Sequence, residues 1–138
     1  GKIGDGLLSN LDAVRNMKTE NALLKLKTLF QKHLLYIEEN RGIARLLFSE
    51  EIHAGNDLIR SCFSQIIGNY MTGIESLIEE GQEKNRINKK IEQSAIAVTL
   101  VGMIQITTVR WSLSDFSFSL LNSGMKLWKN YEDCIAVY

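Results

Sequence analysis

The sequence predicts an all-α domain, a bundle of five to six helices, and three observations point there. The 138 residues contain no proline, although an average composition of about 5% would supply roughly seven. Apolar residues recur at spacings of three and four in every long segment, the period of a helix face and not of a strand. Short polar breaks such as "GQEKNRINKK" and "SLSDFSFS" separate those segments. A chain of this length buries roughly two-thirds of its unfolded surface in one core, so it needs neither metal nor disulfide in order to fold.

The first ten residues, "GKIGDGLLSN", hold three glycines, and a first helix is predicted only from Leu7 to about Met17. Residues 1–19 are read as a connecting segment and 20–138 as the main domain. Leu23, Leu26, Phe30, Leu34 and Ile37 form a stripe that predicts a helix over about Glu20 to Asn40. "GIARLLFSEEIHAG" follows as a shorter helix closed by Gly55, with Asn56 or Asp57 able to cap the next one. Ile59, Phe63, Ile66, Tyr70, Ile74 and Leu77 carry that longest helix up to the polar break beginning at Gly81. From Ala95 to Ile106 the residues are apolar all round, which predicts a helix buried on all sides. That run of about 12 residues is well short of the roughly 20 needed to cross a bilayer, so no membrane span is predicted. A last helix from about Phe118 carries two apolar stripes: Leu121, Met125, Trp128 and Ile135 on one side, Leu120, Leu127, Tyr131, Cys134 and Tyr138 on the other. One core covers one stripe. The second predicts a partner, most economically an identical chain related by two-fold symmetry through the last two helices.

Sixteen basic and sixteen acidic residues cancel. A neutral chain lacks the surplus of Lys and Arg that displaces counterions from phosphates, which argues against free-standing nucleic-acid binding. Cys62 and Cys134 have no Cys or His beside them and are read as reduced core thiols of a cytoplasmic protein. Glu50 and His53 match one E-x-x-H element of a di-iron bundle. The second element is absent, because His33 is preceded three positions earlier by Phe30. No metal or other cofactor is expected, and no nucleophile motif points to an enzyme. Thr99, Gln105, Thr107, Thr108 and Arg110 interrupt the most apolar helix. Buried polar groups need partners, so these are expected either to pair across a subunit interface or to line a pocket.

The block from "YIEENRGIARLLFSEEIHAGND" through "SAIAVTLVGMIQITTVRW" to the final "F-x-L" helix with its buried tryptophan resembles the C-terminal regulatory domain of TetR-type transcriptional regulators. The resemblance covers about residues 30–131. It implies a domain that binds a small effector and dimerises through its last two long helices, with DNA bound by an N-terminal helix-turn-helix that does not precede residue 20 here. It further implies that effector binding shifts the connecting helix and so the spacing of two DNA-reading heads.

For a largely apolar effector the expected lining is Phe48, Ile52, Phe63, Ile67, Tyr70, Met103, Thr107 and Trp111. For the homodimer interface the expected residues are Val98, Val101, Gly102, Gln105, Val109, Leu120, Leu127 and Tyr131. The competing readings are a small metal protein or enzyme built round Glu50, His53 and Cys62, and a dimeric adaptor with no ligand.

Overall fold

Asn21 begins the helix round which the rest is arranged: its side chain accepts from the Leu24 amide at 3.2 Å, satisfying one of the free donors of the first turn. A computed structural model describes residues 2–42, 44 and 57–137. The described helices are α1 (Lys2–Arg15), α2 (Ala22–Glu39), α3 (Asp57–Glu83), α4 (Gln93–Leu113) and α5 (Leu120–Ile135). Residues 45–56 lie outside the described part, and with them most of the predicted short helix and Phe48, Glu50, Ile52 and His53.

α2 packs against each of the other four helices. Its predicted stripe supplies the centre of the core: Leu26, Phe30 and Leu34 are fully buried and Ile37 nearly so. Two close approaches set the spacing. A β-carbon at Gly124 of α5 would overlap the Leu34 side chain, and one at Gly73 of α3 would overlap Leu11 of α1. A methyl at either place would have to displace the leucine side chain that now fills it. α1 thereby joins the common core through Leu7, Leu11 and Val14, and it begins five residues earlier than the apolar pattern suggested.

α3 runs through Gly81 to Glu83, past the predicted break, because the turn after it folds back on the helix. The Arg86 and Ile87 amides both donate to the Gly81 carbonyl, at 2.7 and 3.0 Å, and Asn85 takes a left-handed φ of 58°. Buried Gln82 holds the same turn from inside. Its Nε2 donates to the carbonyls of Asn88 at 3.0 Å and Ile91 at 2.8 Å, while its Oε1 accepts from Gln93 at 3.1 Å. The chain end then lies across this turn: Asn88 donates to the Ile135 carbonyl at 2.8 Å and Val137 to that of Arg86 at 3.0 Å.

At the other end of the bundle the indole of Trp111 donates to the Phe118 carbonyl at 2.9 Å and closes the α4–α5 turn, in which Asp115 and Phe116 have φ of 57° and 60°. Ser119 caps α5, and the Glu38 carboxylate of α2 accepts from the Leu120 amide at 3.3 Å, a negative charge placed at the positive end of a helix.

α4 departs from the prediction in two ways. Over its 21 residues it is long and apolar enough, by length and composition alone, to cross a membrane. Nor is it buried on all sides within one chain: Ile96, Leu100, Ile104 and Trp111 face the core, whereas Val98 is 61%, Ile106 54% and Leu113 82% exposed. α5 also sorts its residues differently from the two predicted stripes. Leu120, Trp128, Tyr131 and Ile135 form one buried row, leaving Leu127 and Cys134 outside.

Candidate functional site

Two regions stand out among the described residues: a polar seam inside the bundle and an apolar face outside it. The seam lies where α2 crosses α3. His33 Nδ1 and the Tyr70 hydroxyl share a hydrogen bond of 3.0 Å, with the rings edge to face at 5.2 Å between centroids. Both residues are buried. Burial holds the imidazole neutral, pushing its pKa down to about 4, and drives the Tyr70 phenol well above its usual range, because each charged form would have to leave water. Phe30, one turn before His33, packs its ring 5.5 Å from that of Trp128, and Trp128 packs in turn against Tyr131 at 5.4 Å. The Tyr131 hydroxyl donates to the Ile96 carbonyl at 2.7 Å, and burial raises its pKa too. Nearby along the α2–α3 contact, buried Lys25 lies 3.4 Å from both oxygens of Glu80.

The outer face is built by α4 and α5. Val98, Gly102, Gln105, Val109 and Leu113 follow one another at helical spacing along α4, exposed or partly so. Beside them an open groove of about 400 Å³ runs between α4 and α5, lined by residues such as Ala95, Thr99, Met103, Leu127, Asn130 and Cys134. Its lining is almost wholly apolar.

The expected effector residues are therefore dispersed. Of the six that are described, Tyr70, Thr107 and Trp111 are buried, Phe63 and Ile67 half-buried, and Met103 alone lines the groove. Of the expected interface residues, Val98, Gln105 and Leu127 are exposed and Val101, Gly102 and Val109 partly so. Leu120 at 0% and Tyr131 at 7% exposure belong to the core of the single chain and offer almost no area to a second copy.

Within the single chain the threonines of α4 are satisfied by their own helix, and Thr99 also lines the groove. Thr99, Thr107 and Thr108 donate back to the carbonyls of Ala95, Met103 and Ile104, each four residues earlier, at 2.6 to 2.8 Å. A threonine hydroxyl inside a helix has that acceptor always within reach. Gln105 and Arg110 are exposed. The cysteines are free but not in the core: Cys62 and Cys134 are both exposed. Among the described residues no three His, Cys, Asp or Glu side chains are placed to hold a metal ion. His33, Lys25 and Gln82 were not singled out, although His33 carries a legible signal, since a titratable residue on the apolar stripe of a helix must find a buried partner.

Residues 7–130 match the family described as YsiA-like protein, C-terminal region. The chain belongs to this family of TetR-type regulators. The TetR-type domain is 19% identical over 126 residues to the nucleoid occlusion factor SlmA of Vibrio vulnificus (strain YJ016), covering 91% of the chain and 64% of that relative. With SlmA of Aliivibrio fischeri (strain MJ11) it shares 22% identity over 109 residues, 79% of the chain and 56% of that relative. It thus spans less than two thirds of the length of these curated relatives. Its fold is that of two solved regulators. The transcriptional regulator FadR from Bacillus subtilis, in complex with stearoyl-CoA, superposes with a TM-score of 0.78 at 18% identity, over 94% of this chain and 68% of that one. The fatty acid degradation regulator FadR from Bacillus halodurans gives 0.79 at 17%, over 94% and 67%. The two solved structures are of regulators, and the curated relatives are nucleoid occlusion factors.

Proposed function

We propose that this TetR-type domain is the sensing and dimerising half of a DNA-binding regulator. It pairs with a second copy through the outer face of α4 and α5 and takes up a small, largely apolar effector. The observation that carries the reading is the unpartnered apolar face, in which Val98, Ile106, Leu113 and Leu127 all stay in water in the single chain. Contiguous apolar surface of this kind is the mark of an association site, and its place on the last two helices agrees with the family. DNA is contacted through a segment preceding α1, and α1, packed on both α2 and α3, is the element through which a change in the core reaches it. That a regulator of the same fold is complexed with stearoyl-CoA supports an effector with a long acyl body, which also suits the aromatic interior round Phe30 and Trp128.

Light scattering at micromolar concentration tests the pairing. The wild-type chain is expected at twice its own mass and Val98→Glu at the single-chain mass. The substitution is neutral for the fold, because Val98 is exposed in the single chain, but buries two carboxylates in the symmetric pair and weakens association by about 100-fold or more. A wild-type chain that stays single at these concentrations overturns the proposal.

A further inference from the structure

The outer face of α4 and α5 consists of two parts that fit each other. Along α4, Ala95, Val98, Gly102, Ile106, Val109 and Leu113 follow at helical spacing, a second apolar row on the side away from the core. All six are exposed or partly so. Gly102 stands near the middle, where a β-carbon would meet nothing within 4 Å, so this ridge is lowest where another helix can come nearest. Beside it lies the apolar groove of about 400 Å³ between α4 and α5. A ridge and a groove side by side on one chain suit a two-fold pair, in which each copy seats its ridge in the groove of the other. Two side-chain amides interrupt that surface. Gln105 stands between Val98 and Val109 on the flank of α4 turned away from the groove, and Asn130 stands between Leu127 and Cys134 in the groove wall. Both are exposed, and neither amide finds a hydrogen-bond partner among the described residues. The hydroxyls of the groove wall are already engaged within the chain, Thr99 with the Ala95 carbonyl and Tyr131 with that of Ile96.

Pairing through this surface takes both amides out of water, and an amide left without a partner there opposes association. When two helix hairpins close into a four-helix bundle, α4 borders its own α5 on one flank and the partner's α5 on the other. Gln105 lies on that second flank, and Asn130 lines the groove that receives the partner's α4. We infer that Gln105 and the partner's Asn130 form a hydrogen-bonded amide pair, made twice by the symmetry, which sets the register of the two copies and selects this chain as its own partner. A polar pair in an apolar seam is satisfied in one register only, so a slipped or foreign partner buries it unmatched. The inference rests on the pairing reading above and names the contact that makes the pairing specific.

The test is a double-mutant cycle on the full chain. Sedimentation equilibrium reads the dissociation constant of the pair for the wild type, Gln105→Ala, Asn130→Ala and the double variant. Both positions are exposed in the single chain, so the substitutions leave its core untouched. Each single substitution is expected to weaken pairing about 10- to 100-fold, because two symmetric bonds are lost and two amides are left buried without partners. The double variant is expected to pair no more weakly than either single one, since it leaves no unmatched amide behind. Losses that multiply in the double variant overturn the inference, as do single substitutions without effect; the pairing itself then stands. A wild-type chain that does not pair overturns the pairing reading and the inference together.

Discussion

Acidification should weaken this domain measurably through His33. His33 is neutral in the folded state, with a pKa near 4, against about 6.5 in an unfolded chain. The folded pKa is the lower of the two, so below about pH 6.5 the unfolded state binds the proton more readily and stability falls. The loss continues until the pH passes through about 4. A difference of about 2.5 pH units corresponds to roughly 3 kcal/mol in total, of which roughly 2 kcal/mol is already gone at pH 5. Against a typical stability of about 5–15 kcal/mol that is a large fraction. The assay is urea unfolding at pH 7 and pH 5 of the wild type and of His33→Gln. Glutamine can still accept from the Tyr70 hydroxyl but does not titrate, so carboxylates contribute equally to both proteins and cancel in the comparison. The wild type should lose roughly 2 kcal/mol more than the variant between the two pH values. Equal losses would refute the reasoning, as would an imidazole titration by NMR with a midpoint near 6.5.

Three further outcomes follow from the packing. Gln82→Ala removes two donations and one acceptance that hold the 84–92 turn to α3 and should cost about 1–3 kcal/mol in urea unfolding, since partners left unpaired lose more than the bond itself. Gly124→Ala adds a methyl where Leu34 already stands; overpacking of about 1–3 kcal/mol outweighs the gain of about 1 kcal/mol in helix propensity, so the melting temperature should fall. Dialysis against a chelator should leave the melting temperature unchanged, whereas a loss would revive the metal reading built on Glu50 and His53.

The helices were legible where one face meets the core. The α2 stripe at Leu26, Phe30, Leu34 and Ile37 is buried as its spacing implies, and the α3 stripe is buried at Tyr70, Ile74 and Leu77. Periodicity says that a face is apolar, not which body covers it. Spacing thus places Leu120 and Tyr131 on an apolar face, but it is the same chain that covers them: Gly124 of their row meets Leu34, and Tyr131 donates to the Ile96 carbonyl. The threonines of α4 need no tertiary partner, because their hydroxyls bond their own helix. The seam at His33, Tyr70 and Trp128 joins α2 to residues 37 and more positions away. No spacing rule connects those residues, and only the crossing of the helices brings them together.

Native mass spectrometry of the chain with stearoyl-CoA tests the central claim in a single measurement, since it counts both chains and ligands. The account predicts two chains per particle, each able to carry one acyl-CoA. Single chains without bound ligand would contradict it.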